Sequence, residues 1–101
     1  MATFEGAIRV TATGTNQATG AASARVAIPV TAANTAPRYI RVAGINECYV
    51  KVGDSSVVAT NGDVLVQPAD APTLNVQGCT HIAFIQGAAA GRVNIVPLED
   101  Q

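Results

Sequence analysis

Between Pro37 and Gly53 the chain reads PRYIRVAGINECYVKVG, and this stretch constrains the fold more than any other. Ile40 and Val42 alternate with Tyr39, Arg41 and Ala43. After a break at Gly44-Ile45-Asn46, Cys48, Val50 and Val52 alternate with Glu47, Tyr49 and Lys51. Successive side chains of a strand point to opposite faces, so a period of two marks a strand with one face buried. The stretch is predicted to form two half-buried strands joined by a tight turn: a β-hairpin at the centre of an all-β domain.

The alternation recurs along the chain. Residues 3–10 offer a first strand carrying Phe4, Ile8 and Val10. From Arg25 to Val30, Val26, Ile28 and Val30 share a face; Pro29 cannot donate to a ladder, so this strand lies on an edge or ends there. Val57, Val58 and Ala59 form a short apolar plug, expected over one end of the core. Asn61-Gly62 is a turn signal before the brief strand Val64-Leu65-Val66. Another strand carries Leu74 and Val76. In Thr80 to Gln86, Ile82 and Phe84 face one way and His81, Ala83 and Ile85 the other, which suits a central strand. Arg92 to Val96 closes the domain with Val93 and Ile95 inward, and residues 98–101 read as a solvated acidic tail. No helix-period run is present. The expected fold is an antiparallel β-sandwich, jelly-roll-like, of about eight short strands. Shared parity puts Ile40, Val42, Val50, Val52, Ile82, Phe84, Val93 and Ile95 in its core.

One segment departs from the pattern. Thr11 to Ala24 reads TATGTNQATGAASA, with no bulky apolar side chain to oppose its ordering entropy. It is expected to lie outside the core, either as a contact arm ordered by a neighbour or as an ordinary loop packed on its own domain.

At 101 residues the chain is one domain with one modest core. Large side chains are scarce, with no Trp, two Phe, two Tyr and one Met, so that core is thin. Only 13% of residues are charged, against about 25% in ordinary soluble domains, which implies that a partner covers part of the surface. The net charge of −1 supplies no basic field for nucleic acid or an anionic membrane. Five of the six basic residues are Arg, the cation that interfaces favour over Lys. The opening MATFEGAIRV has no basic n-region and no long apolar stretch, so synthesis in the cytoplasm without a signal peptide is expected. Cys48 and Cys79 are too few for a disulfide framework and read as free buried thiols.

No catalytic or metal-binding constellation is visible. His81 beside Cys79 supplies two ligands on one strand, short of the four of a closed zinc site. Cys48 with His81 lacks an orienting third group. Asp54, Asp63 and Asp70 lack the spacing of a calcium loop and read as capping and turn residues. Tyr39 and Tyr49 could together form a sugar-stacking platform, though as plain cover for a sheet they need no ligand. No enzyme activity, metal or cofactor is expected.

Five segments carry a family resemblance: Arg38 to Val42, Val50 to Thr60, Val64 to Pro68, Ile82 to Ile85 and Gly91 to Ile95. An R-Y-hydrophobic-R-V strand is followed by V-x-V-G-D-S-S-V-V-A-T, a short apolar strand with Pro, an I-A-F-I strand and a closing G-x-V-N-I strand. In these, spread from Arg38 to Ile95, the chain resembles small β-rich virion structural proteins of tailed bacteriophages. The resemblance implies a capsid decoration (cement) protein at the virion surface. Its partners would be the major capsid protein and copies of itself, with no nucleic acid and no membrane. A neck or tail component is the alternative within that class, and a carbohydrate- or receptor-binding module using Tyr39 and Tyr49 the alternative outside it. Arg38, Tyr39, Arg41 and Tyr49 are the candidate interface residues, because they flank the best-defined strands and Arg can fork onto a neighbour's carboxylate.

Overall fold

The structure, a computed structural model, describes residues 9–99. The strand expected over residues 3–10 lies outside them except for Arg9 and Val10, which are not in a strand. The described residues form eight strands and no helix: β1 (Thr15–Ala18), β2 (Ala24–Ala27), β3 (Tyr39–Ile45), β4 (Cys48–Gly53), β5 (Val64–Val66), β6 (Thr73–Asn75), β7 (His81–Gln86) and β8 (Arg92–Leu98). They make two four-stranded antiparallel sheets. The first has the order β1-β8-β3-β6, the second β2-β7-β4-β5.

The pairs β1·β8, β2·β7, β3·β6 and β4·β5 are those of one long hairpin folded between β4 and β5. Wrapping that hairpin adds β3·β8 and β4·β7 and closes it into two sheets. This is jelly-roll topology. The inner faces meet in one cluster. Ile40, Val42, Val93 and Ile95 come from the first sheet, and Val50, Ile82 and Phe84 from the second, none more than 2% exposed. Val52 is half-buried at its margin. Val66, Val76 and Ile28 complete the core.

The central hairpin does not form. β3 lies in the first sheet and β4 in the second, so Asn46-Glu47 is a corner between sheets rather than a turn within one. Asn46 takes a left-handed φ of 64°, which Asn tolerates better than most residues, and its Nδ2 donates to the Ala90 carbonyl at 2.8 Å. Alternation records which face of a strand is buried. It does not record the neighbour, and a chain crossing between two inner faces has the same alternation as a hairpin.

Thr11–Ala24 is neither arm nor plain loop over its middle. Its residues 15–18 are β1, an edge strand registered on β8 from Thr15↔Ile95 to Ala18↔Arg92. Thr19 follows, 7% exposed, with its amide donating to the Gly91 carbonyl (2.9 Å) and its Oγ1 accepting from the Gly91 amide (2.8 Å). Backbone hydrogen bonds to a central strand hold this segment, so it needs no bulky side chain. β2 is also an edge strand and it ends at Ala27, before Pro29, in keeping with a strand that lies on an edge or ends there. β8 runs past its expected end to Leu98, which is buried rather than solvated, with Pro97 fully buried inside the strand. The Glu99 amide donates to the Arg9 carbonyl, so odd-numbered amides of β8 face the β1 side. Pro97 therefore lacks its donor where pairing with β1 has already stopped at Ile95.

Gly91 sits where three connections meet. A Cβ there would run into the Ile45 carbonyl oxygen and stand 3.0 Å from the Asn46 Cβ. Gly91→Ala is expected to lower stability by about 1–3 kcal/mol in urea unfolding. Gly20, with open space around it, is the control. Equal unfolding midpoints for the two alanine variants would refute the packing account.

Candidate interaction surface

The outer faces of the two sheets differ. On the second sheet, Tyr49, Lys51, Ala83, Ile85 and Arg25 point outward by register. Yet Ala83 has no exposed surface. The β4–β5 connection, residues 54–63, folds back across this face instead of plugging one end of the core. Its Ala59 amide donates to Ser23 Oγ at 2.9 Å, and Arg25 Nη1 donates to the Val57 carbonyl at 3.3 Å. Ala59 is buried, Val57 half-buried and Val58 exposed. The connection is held at both ends by carboxylates: Asp54 Oδ1 accepts from the Ser56 amide and hydroxyl, and Asp63 Oδ2 from the Thr60 amide. The Ser56 bonds hold the Asp54 carboxyl below the usual carboxylate range. Asp70 closes a turn, its amide donating to the Gln67 carbonyl. These aspartates do the turn work that their spacing suggested, and they do not converge.

The outer face of the first sheet carries no such cover among the described residues. Tyr39, Arg41, Ala43 and Ile45 from β3 lie beside Arg92, Asn94 and Val96 from β8, in the registers Arg41↔Val96 and Ile45↔Arg92. Ile45 is 65% exposed and Tyr39 36%. Next to Ile45, a hollow of about 120 Å³ is lined by Asn16, Ala43, Gly44, Arg92 and Asn94. Asn94 Nδ2 donates to Asn16 Oδ1 at 2.9 Å across its floor.

The four candidate interface residues therefore divide. Tyr39 and Arg41 share the open face of the first sheet. Arg38 precedes β3, its carbonyl accepting the Val76 amide at 2.8 Å. Tyr49 lies on the outer face of the opposite sheet, so a shared Tyr39–Tyr49 stacking platform does not exist. The alternation that made both strands half-buried also made both tyrosines outward, but outward from different sheets. Sequence reading passed over Ile45, Arg92, Asn94 and Val96. The signal was available: Ile45 keeps the parity of Tyr39 and Arg41, and Arg92, Asn94 and Val96 oppose the parity of Val93 and Ile95. Gly44 and Asn46 on either side of Ile45 give it the look of a turn residue instead.

The thiols and His81 do not assemble. Cys48 points into the core and is free, and Cys79 is half-buried and free. His81 faces outward at the far end of β7, paired with Gly53, while Cys48 pairs with Gln86. Five residues of strand, roughly 17 Å, separate them. The His81 ring contacts the Thr80 hydroxyl through Nδ1 at 2.8 Å. Among the described residues no group of three or more His, Cys, Asp or Glu could hold a metal ion. Burial pushes the Cys48 thiol above its usual pKa, which lowers its thiolate fraction at neutral pH. A thiol reagent should label Cys79 in the native protein and Cys48 only on unfolding. Equal labelling rates under native conditions would contradict the burial of Cys48.

The chain matches no protein-family model, no curated protein and no solved structure.

Proposed function

We propose that this domain is a non-enzymatic structural protein of a tailed-phage particle. In this role it decorates the outside of the capsid shell as a cement protein, bound to the major capsid protein and to copies of itself. The observation that carries the proposal is the contrast between the two outer faces. One is closed by the chain's own β4–β5 connection; the other exposes Ile45 and Tyr39 beside arginines. Tyr and Arg are enriched at protein interfaces, and a low-charge exterior suits repeated contact with identical neighbours. The resemblance in the segments from Arg38 to Ile95 supplies the particle class. The fold is compatible with that class, since jelly rolls build viral capsid domains, but they also build lectins and cupins and do not choose among them. Around a symmetric shell, many weak contacts add up to lasting attachment.

The test is made on purified particles. A copy number that tracks the shell subunits supports decoration; a copy number set by one ring at the neck or tail supports the alternative. Particles assembled without the protein should form but lose resistance to heat or low salt. Unchanged thermal stability of such shells would count against a cement role.

A further inference from the structure

Among the described residues, every charged residue within a strand is basic: Arg25, Arg41, Lys51 and Arg92. All described carboxylates lie outside the strands, in connections or after β8. The sheet faces are therefore cationic on a chain whose net charge is −1. On the second sheet, Arg25 is engaged with the connection that covers it. On the first, Arg41 and Arg92 flank exposed Ile45 and half-buried Val96, and no strand of that sheet supplies a counter-charge. The hollow beside Ile45 is lined by one guanidinium and two amide side chains. Amide and guanidinium N–H groups are donors, and a carboxylate is acceptor-only, so this lining matches a carboxylate in donor count and in sign.

We infer that the outer face of the first sheet docks an acidic, apolar protein surface, with an Asp or Glu side chain of the partner seated in the hollow beside Arg92 and apolar partner side chains over Ile45 and Val96. This rests on the particle reading for where the partner resides, on the capsid shell, and names the chemistry of its contact surface. Arg41 guides the approach from the far end of the same face. The attraction is between partly exposed charges, so attachment weakens as salt rises.

Two experiments test it. First, the whole protein is titrated at millimolar concentration with the synthetic peptide acetyl-Leu-Glu-Val-Glu-Leu-amide, followed by amide chemical shifts. Saturating shifts confined to residues 43–45 and 92–96 are expected. They should be lost with the glutamine version of the peptide and in Arg92→Gln. Equal shifts with the glutamine peptide, or shifts elsewhere on the molecule, would overturn the inference. So would stronger binding of a single-stranded oligonucleotide to the same face, or a dimer in sedimentation that Arg92→Glu dissolves. Second, shells lacking the protein are incubated with wild type, with the Arg41→Glu/Arg92→Glu double variant and with Lys51→Glu on the other sheet. The double variant should attach roughly tenfold or more weakly and Lys51→Glu normally, all with unchanged melting temperature. If wild type and double variant attach equally, the acidic docking face is wrong and the particle role stands. If wild type does not attach, the particle role is wrong, and the peptide titration still decides the chemistry of the face.

Discussion

Phe84→Ala is expected to lower the unfolding free energy by about 3–5 kcal/mol. Phe84 is the largest fully buried side chain among the described residues. It sits in β7, a central strand, between Ala24 of β2 and Val50 of β4. Its neighbours in the cluster are Val, Ile, Leu and Cys. None of these is long and flexible enough to fill a benzyl-sized hole, so the cavity term adds to the lost transfer free energy. A domain of this size has about 5–15 kcal/mol of total stability, and a thin core puts it toward the low end. The variant should therefore be close to half-unfolded at mild urea concentrations. Val58→Ala, at an exposed position on the β4–β5 connection, is the control and should change stability by about 0.5 kcal/mol or less. Equal losses in the two variants would mean that Phe84 does not organise the core.

Deleting residues 13–22 is expected to abolish cooperative folding. The deletion removes β1 and with it the register on Arg92 to Ile95. It also removes the paired bonds between Thr19 and Gly91, and the bond from the Gln86 amide to the Gly20 carbonyl at 3.0 Å. β8 then becomes an edge strand, with buried backbone groups left without partners and a long unpaired edge open to aggregation. A segment that served only as a contact arm would give the opposite result: a melting temperature within a few degrees of wild type. The milder Thr19→Ala removes one acceptor and leaves the Gly91 amide unsatisfied in a partly buried site, at a cost of about 1–3 kcal/mol. Circular-dichroism melts of the two variants measure both effects. A deletion that melts like wild type would return the segment to the status of an arm.

Much of this fold was legible in the chain. Alternation alone places Ile40, Val42, Val50, Val52, Ile82, Phe84, Val93 and Ile95 on inner faces, and all are buried except Val52, which is half-buried. Pro29 marks an edge or end of a strand, and Asp54 and Asp63 mark turns. These features are local. Pleating decides which way a side chain points, a missing N–H decides where a strand may sit, and a short carboxylate bonds the backbone two or three residues away.

Only the tertiary structure decided which strands are neighbours. β3 and β4 are adjacent in sequence and lie in different sheets, because parity is the same for a hairpin and for a chain that crosses between two inner faces. β1 carries no large side chain and is still part of the first sheet, because its partner is the backbone of β8, which composition does not report. The open face took shape in the same way. Tyr39 and Arg41 acquire Arg92, Asn94 and Val96 as neighbours through pairing across some fifty residues of chain, and lose Tyr49 to the opposite sheet. Local sequence set which way each side chain faces; long-range pairing of the backbone set which side chains share a face, and a binding surface needs both.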